Sequence, residues 1–223
     1  MSNNKRCVTT VIPFRVITTQ GVNKLQFYIH TRYKPVVSPA YSDLYEFPVG
    51  GLDQGEDAID AGLRELQEET NMTANYIFPP QFLQTQIVSR SDIVAGYQPF
   101  YTLEMLKTVD GMLWFGPVFL VKVSSDADPQ PNVQEAKDPK WLSAEEIIRL
   151  AKDQGFESQT EFVQVQKTTF FDFQLPVLRH LANQLASSEF KSQLINLGQQ
   201  PEIEVVSDLK KIKPKWYATR GLS

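Results

Sequence analysis

The sequence lacks the features that mark secreted, membrane-embedded or disulfide-stabilised proteins. It has a single cysteine, Cys7, so no intrachain disulfide can form, and such cysteine usage is typical of a reducing compartment. The longest apolar run, residues 112–121, contains glycine and proline and is too short to span a bilayer. The first residues lack the apolar core of a signal peptide. We therefore expect a cytoplasmic protein, with Cys7 as a small strand residue rather than a nucleophile.

An excess of positive charge is also absent. The formal net charge is −4 and the isoelectric point is near 5.3, which argues against a surface that attracts nucleic acid in bulk. What is present is an ordinary globular composition, with 42% hydrophobic and 22% charged residues in a chain of 223. This length suits one domain, or one domain with an appendage, and it allows a sizeable core.

Strand-like and helix-like segments alternate along the chain. Residues 7–33 contain two apolar runs around a Gln-Gly turn and are predicted to form a β-hairpin. Further strands are predicted at 76–89, 99–109 and 113–124, and helices at 57–70, after residue 143 and at 170–187. Ser143 and Glu146 have the spacing of a capping box, which marks the start of the second helix. Helices placed between strands favour an α/β or α+β layer fold.

The helix predicted at 57–70 has an unusual acidic flank. Glu65, Glu68 and Glu69 are three and four residues apart, so they lie within about 100° of arc on the helix surface. Like charges at this spacing destabilise a helix unless a positive charge lies among them. Mg²⁺ or Mn²⁺ would supply that charge, because hard cations bind carboxylate oxygens. The helix therefore predicts a divalent-metal site, whereas a purely solvated acidic face is the alternative.

A glycine-rich turn precedes this helix. Gly50, Gly51 and Gly55 allow the backbone to approach a ligand closely, and a carbonyl from the turn can reach a metal held by the helix. Arg64 lies beside the acidic residues. It can pair with Glu68 one turn later, or fold back to Glu56, and so orient the carboxylates.

From Gly50 to Met72 the sequence resembles the Nudix box, G-x5-E-x7-R-E-U-x-E-E-x-G-U, where U is aliphatic. The matching residues are Gly50, Glu56, Arg64, Glu65, Leu66, Glu68, Glu69 and Met72. One position departs, since Asn71 replaces the final glycine. Asn is the usual second choice for the left-handed residue that ends a helix, so Asn71 is expected to be structural, as is Glu56. We assign residues 1–187 to the Nudix domain with its C-terminal helices, and residues 188–223 to a helical extension and basic tail.

The resemblance implies an α/β fold, namely an α/β/α sandwich around a mixed β-sheet, with extra C-terminal helices. It also implies Mg²⁺-dependent hydrolysis of a nucleoside diphosphate linked to another group, with Mn²⁺ as a possible substitute. Carried over by position, Glu65, Glu68, Glu69 and the Gly50 carbonyl would bind metal, and Arg64 would orient the glutamates. The general base in this family is either a box glutamate or one from a later loop, for which Glu135 is the candidate here.

The lead-in to the box gives a hint about the substrate. Val49, preceded by Glu46, resembles the branch that cleaves ADP-ribose and other nucleoside diphosphate sugars, although that branch's downstream proline-glycine element is absent. Expected substrate contacts are Glu46, Gly51, Tyr97 and Phe100. Tyr97, Phe100 or Tyr101 could stack on a base, and the alternative for each is a place in the core.

Other interpretations remain open at this stage. The tail "KKIKPKWYATR" combines cations with Trp216 and Tyr217, which would suit an RNA-end or cap pyrophosphatase, whereas a disordered or docking tail is the alternative. A dinucleoside polyphosphate pyrophosphatase is a further alternative. A catalytically silent, nucleotide-binding regulatory module is a third interpretation. The helices beyond residue 143 could cover the substrate cleft or form a homodimer surface. His180 is expected to pack or cap, and no role is assigned to His30.

Overall fold

The computed structural model describes residues 5–36, 39–53, 55–78, 99–107, 113–153 and 169–199. Within these residues one mixed sheet forms the centre of the molecule. Its strands are β1 (Lys5–Thr19), β2 (Val22–Arg32), β3 (Tyr45–Glu46), β4 (Val49–Gly51), β5 (Ala74–Phe78), β6 (Tyr101–Lys107), β7 (Leu113–Val123) and β8 (Ala136–Ser143). The main path runs β3-β2-β1-β7-β5, while β4 pairs with β1, β6 with β7 and β8 with β2. β1 and β7 are parallel and the other pairs are antiparallel, so the sheet is mixed as expected.

The predicted hairpin at 7–33 is confirmed by β1 and β2. Thr19 pairs with Val22, which leaves a two-residue connection. Both connecting residues have positive φ, 52° at Gln20 and 76° at Gly21. Positive φ at both positions is the geometry of a type I′ turn, whose twist matches that of the strands it joins. The other strands that pair directly with this hairpin include β3 on β2 and β4 on β1, so the hairpin fixes the positions of both.

Helices cover both faces of the sheet. They are α1 (Ala58–Thr70), α2 (Ala144–Asp153), α3 (Leu175–Leu185) and α4 (Ser188–Gly198). One core lies under α1 and contains Ile59 and Leu66 with Val11 of β1. The other core lies under α2, α3 and α4 and contains Phe14 of the same strand. Alternate residues of β1 thus face two separate cores, and the predicted α/β/α sandwich is confirmed.

α1 begins and ends with local capping contacts. The side chain of Asp57 accepts hydrogen bonds from the N–H groups of Ile59 and Asp60. At the other end Asn71 has a φ of 57°, the left-handed conformation that the sequence predicts for this position. These caps fix the start of the helix next to the glycine turn, which brings its acidic flank to β4.

Two other helices follow their sequence signals with one difference. Ser143 and Glu146 form the predicted capping box, in which the Glu146 carboxylate accepts from the Ser143 N–H at 2.7 Å. The helix predicted at 170–187 starts later, at Leu175, after a short 3-10 turn at Asp172–Gln174. Proline in the first turn explains this start, because Pro176 has no N–H and cannot lie deeper in a helix.

Beyond α3 the chain continues into the same core. Phe190, Leu194 and Leu197 of α4 are buried with residues of β1 and α3. The boundary at residue 187 stays a prediction, and the basic tail at 208–223 lies outside the described residues. Within the described part of the chain, no helix has the length and apolar character needed to cross a bilayer.

Candidate active site

The carboxylate of Glu65 lies directly against the glycine turn. A Cβ atom built on Gly50 would lie 1.8 Å from both the carboxyl carbon and Oε1 of Glu65, so a larger residue does not fit at this position. Pairing of β4 with β1, with Thr9 opposite Gly50, holds the turn in place. The structure therefore brings together the backbone of Gly50 and the first glutamate of the acidic flank, two of the predicted metal-binding groups.

Arg64 organises what we call the outer cluster, defined as Arg64, Glu56, Glu65 and Glu68. Its Nε and Nη2 atoms each lie 3.0 Å from one oxygen of Glu56. Its Nη1 atom donates to Glu65 at 2.7 Å and to Glu68 at 3.0 Å. Nη2 also donates to the Gly51 carbonyl at 2.9 Å. A single guanidinium thus ties the turn to the helix and orients three carboxylates, which is the arrangement expected from the sequence.

The charges of the outer cluster are only partly balanced. The surrounding carboxylates raise the pKa of Arg64, and the hydrogen bond to Glu56 is the main cause. The positive charge of Arg64 is therefore permanent. Burial raises the pKa of Glu65 above its ordinary value, and the charges of Glu68 and Glu135 add to this, although Arg64 opposes it. One arginine therefore does not fully neutralise the site.

A second group, which we call the inner cluster, consists of His30, Arg32, Glu46 and Glu69. Glu69 is 1% exposed, and its Oε2 accepts a hydrogen bond from the Val49 N–H at 3.1 Å. The same oxygen lies 3.9 Å from His30 Nε2. His30 Nε2 lies 3.4 Å from Oε1 of Glu46, whose other oxygen pairs with Arg32 Nη1 at 3.1 Å.

Glu69 lies in an environment that disfavours its negative charge. Its pKa is raised well above the ordinary value, first by burial and then by the charges of Glu46 and Glu65. Lys34 and the Val49 N–H act in the opposite direction but do not compensate. A nearby cation would stabilise the negative charge of this buried carboxylate, so Glu69 fits the role of a metal ligand.

Glu135 lies close enough to the acidic flank to affect it. Its side chain is 40% exposed and pairs with Lys34 Nζ at 2.8 Å. Its charge contributes to the raised pKa of Glu65. The structure thus places the predicted later-loop carboxylate at the edge of the site, in contact with solvent.

The predicted substrate contacts lie in different surroundings. Gly51 is at the site: its carbonyl accepts a hydrogen bond from Arg64, and the Arg6 guanidinium packs against its Cα. Glu46 is fully buried and faces Arg32 and His30. Phe100 packs against His180 and Phe190 with ring centroids 5.0 and 5.9 Å apart. Tyr97 lies outside the described residues, and contact of these residues with substrate stays a prediction.

The remaining aromatic and histidine expectations concern α3. His180 packs against Phe100 and Tyr101, whose ring centroid lies 4.8 Å away. Burial lowers the pKa of His180, so the ring is neutral in its packing position. His180 is therefore a packing residue, as expected, and Tyr101 is partly buried and packs against the core beside it.

The sequence analysis did not identify His30 and Arg32 as part of the site. A signal was present, since His30 and Arg32 follow the largely apolar start of the strand in "LQFYIHTRY". Buried histidine and arginine require partners. The partner is Glu46, which the pairing of β2 with β3 places opposite His30.

The donor atoms of the site fit a hard divalent cation. Glu65, Glu68 and Glu69 supply carboxylate oxygens and Gly50 a carbonyl oxygen, the atom type that Mg²⁺ and Mn²⁺ prefer. In the inner cluster, His30, Glu46 and Glu69 also have possible ligand atoms within 4.8 Å of one another. One of these three ligands is a histidine nitrogen, however, and Mg²⁺ prefers oxygen, so this second group is the less suitable one for a hard cation.

Comparison with known proteins identifies relatives of the whole domain. The model of the NUDIX domain matches residues 20–165. An RNA pyrophosphohydrolase from Sphingopyxis alaskensis is 29% identical over 119 residues, covering 49% of this chain and 66% of the relative. The matched region thus spans slightly less than two thirds of that relative's length.

Solved structures share the fold at low identity. The MutT protein from Methanosarcina mazei Go1 is 14% identical with a TM-score of 0.51, covering 84% of this chain and 99% of that chain. A possible asymmetric diadenosine tetraphosphate hydrolase from Jonesia denitrificans is 16% identical with a TM-score of 0.51, covering 82% and 95%. At these identities the likeness shows the fold alone. The family model, in contrast, covers more than half of the chain and includes the glycine turn, α1 and Glu135, and the chain therefore belongs to the NUDIX domain family.

Proposed function

We propose that this chain is a divalent-metal-dependent hydrolase that cleaves a pyrophosphate linkage in a nucleotide derivative. The observation that carries the proposal is the placement of Glu65 against Gly50 and of Glu69 on the Val49 N–H, close enough that the charge of Glu65 helps to raise the pKa of Glu69. Such a site has more negative charge than Arg64 neutralises. Bound Mg²⁺ or Mn²⁺ would supply the missing charge on Glu65, Glu68, Glu69 and Gly50, neutralise a pyrophosphate and lower the pKa of a bound water.

The residues of the chain divide the remaining work. Arg64 holds the carboxylates of Glu65 and Glu68 and the Gly51 carbonyl in one arrangement, so little reorganisation is needed when substrate binds. Glu135 is the candidate general base that removes a proton from the attacking water. Its exposed carboxylate can reach water, and its ion pair with Lys34 fixes its direction.

The role of Glu135 can be tested by its amide variant. Glu135→Gln keeps the size of the side chain but cannot accept a proton, so kcat should fall by about 10²–10⁴ with substrate binding nearly intact. Steady-state kinetics at saturating metal provides the measurement. A near-normal kcat would return the role of base to a glutamate of α1.

Two substrate classes are supported by different observations. Val49 and Glu46 led to ADP-ribose or another nucleoside diphosphate sugar, but Glu46 is buried against Arg32 and His30. The relative from Sphingopyxis is an RNA pyrophosphohydrolase, and the structure from Jonesia is described as a possible diadenosine tetraphosphate hydrolase. Both names point to longer phosphate chains. We therefore place 5′-polyphosphate RNA ends and dinucleoside polyphosphates ahead of ADP-ribose.

A substrate panel tests the proposal directly. The panel contains triphosphorylated and capped RNA, diadenosine polyphosphates, ADP-ribose, nucleotide sugars, NTPs, NADH and coenzyme A, each with Mg²⁺ and with products separated by chromatography. We expect the highest kcat/KM for a substrate with three or more linked phosphates. Preference for ADP-ribose would restore the first assignment, and binding without turnover of any substrate would favour the silent regulatory module.

The motif residues also bear on whether the chain is catalytic, while its oligomeric state and its location remain proposals. Intact Glu65, Glu68, Glu69 and Arg64 favour an enzyme over a silent module, because Arg64 contacts Glu65 and Glu68 and the charge of Glu65 acts on Glu69. A homodimer and a cytoplasmic location stay predictions. Sedimentation of the full chain would decide the first of these.

A further inference from the structure

The inner cluster contains a histidine to which the proposed reaction gives no task. His30 is 0% exposed, and its Nε2 faces two carboxylates, at 3.4 Å from Glu46 Oε1 and at 3.9 Å from Glu69 Oε2. Tyr28 packs edge-on against the ring, with centroids 5.7 Å apart. The ring is thus held at the base of the acidic site, beneath the side chain that is the proposed metal ligand.

The hydrogen bonding of the ring follows from these neighbours. Nε2 faces acceptors only and must carry a hydrogen, whereas Nδ1 is buried and has no hydrogen-bond partner in the described part of the chain. The network therefore assigns a hydrogen to Nε2 of His30, directed toward Glu46.

Glu46 and Arg32 hold the His30 ring in this orientation. Arg32 Nη1 lies 3.3 and 3.1 Å from the two oxygens of Glu46, and its guanidinium packs over the ring of Phe171 at 5.2 Å. The arginine neutralises Glu46 and fixes its direction. The Nε2–H of His30 then lies between a fixed carboxylate and Glu69.

The two oxygens of Glu69 differ in their contacts. Oε2 accepts a hydrogen bond from the Val49 N–H and lies 3.9 Å from His30 Nε2. Within the described residues Oε1 accepts no hydrogen bond, so it is the oxygen that can face Glu65 and a cation. The Nε2 atom of His30 lies beside Oε2 and also contacts Glu46.

We propose that His30, anchored by Glu46 and Arg32, is a positioning residue that holds the carboxylate of Glu69 in the orientation needed to bind metal. The proposal rests on the proposed function, since it assumes that Glu69 is a ligand. It adds a residue that lies on a strand outside the glycine turn and α1, and it explains why Glu46, predicted to contact substrate, is buried instead.

Two amide variants of similar polarity separate positioning from mere packing. The amide nitrogen of glutamine can reach the place of Nε2, whereas that of asparagine reaches only the place of Nδ1. Binding of Mn²⁺ alone to the full chain, measured by calorimetry, should stay within about threefold of wild type for His30→Gln. It should weaken by about tenfold or more for His30→Asn, as is typical when the partner of a metal ligand is lost. His180→Asn, a matched change in the other histidine, should leave Mn²⁺ affinity unchanged.

Several outcomes would overturn the inference. Equal Mn²⁺ affinity of the His30→Gln and His30→Asn variants, or full affinity in both, means that the ring only fills space. Absence of Mn²⁺ binding and of hydrolysis in the wild type would instead refute the proposed function. The two failures are therefore distinguishable.

The wild-type protein offers a second test that does not depend on folding of a variant. The chain has two histidines, so long-range ¹H–¹⁵N spectra contain two ring systems, with His180 as an internal control. His30 should carry a hydrogen on Nε2, and its ring signals should shift on addition of Mg²⁺ while those of His180 stay in place. A metal-bound protein in which the His30 signals do not move, or in which Nε2 carries no hydrogen, would contradict the proposal.

Discussion

The outer and inner clusters use the same residue types in different surroundings. Each places one arginine among glutamates, yet the Arg64 side chain is 27% exposed and that of Arg32 is 7% exposed. Glu68 in the outer cluster is 56% exposed, whereas Glu46 in the inner cluster is fully buried. Glu68 thus shares its charge with water, whereas the inner carboxylates depend on the protein and on a ligand.

This difference separates two kinds of work. In the outer cluster Arg64 donates to several carboxylates at once, so its removal should disturb orientation more than folding. In the inner cluster Arg32 serves Glu46 alone, and Glu69 is left with its raised pKa. Burial, rather than residue type, makes Glu69 the group with most need of a cation.

The largest effect expected from a single substitution is that of Glu69→Gln. Loss of a charged ligand from the buried side of the site should lower kcat by about 10³-fold or more. The metal-free variant should be as stable as the wild type or more stable, because an unfavourable buried charge is removed. Melting temperatures in EDTA, paired with kcat at saturating Mg²⁺, provide the measurement.

The same pair of proteins gives a pH dependence with a definite sign. Because the folded-state pKa of Glu69 is raised above its ordinary value of 4.5, the folded protein binds this proton more tightly than the unfolded chain does. The metal-free wild type should therefore lose stability relative to Glu69→Gln as pH rises above that value. If the difference in melting temperature between the wild type and Glu69→Gln stayed constant between pH 4 and 8, the assignment of a buried, titrating carboxyl group to Glu69 would be contradicted.

A matched pair of arginine substitutions tests the comparison itself. Arg64→Lys keeps the charge but loses the fork that reaches Glu56, Glu65 and Glu68, so kcat should fall by about 10²-fold with a small change in melting temperature. Arg32→Lys lies in the buried cluster and should cost more stability, by about 2–4 kcal/mol, since a buried pair is disturbed. If Arg32→Lys lowers kcat more and Arg64→Lys lowers stability more, the roles of the clusters are reversed.

The smallest catalytic effect is expected from Glu56→Gln. Glu56 precedes α1 and accepts two hydrogen bonds from Arg64 and one from the Asp53 N–H. Loss of its charge should lower kcat by about tenfold or less, and should lower the melting temperature by about 2–4 °C for a loss of about 1 kcal/mol. Abolished activity in Glu56→Gln together with an active Glu69→Gln would show that ligand and scaffold have been exchanged.

The glycine turn and α1 could be predicted from sequence because their signals are local. Spacing of the glutamates fixes their helix face, and Asn71 marks the helix end within the same stretch of chain. The contact of Arg64 with Glu56 also follows from short separations. The outer cluster could therefore be predicted without knowledge of the fold.

The inner cluster could not be predicted in this way. It requires β2 and β3 to pair with His30 opposite Glu46, and it requires α1 to lie over that pair. Neither the register nor the packing is encoded in a short stretch of sequence. For the same reason the burial of Glu46 and the packing of Phe100 against α3 and α4 could not be predicted, and their contact with substrate stays a prediction.

The requirement for metal tests the central claim most directly. The substrate with the highest kcat/KM in the panel would be followed at a fixed pH in Mg²⁺, in Mn²⁺, and in EDTA with the residual metal content measured. We expect turnover with either cation, complete loss in EDTA, and recovery when Mg²⁺ is restored. Undiminished turnover in EDTA, with the metal content confirmed as nil, would contradict the assignment of Glu65, Glu68 and Glu69 as metal ligands.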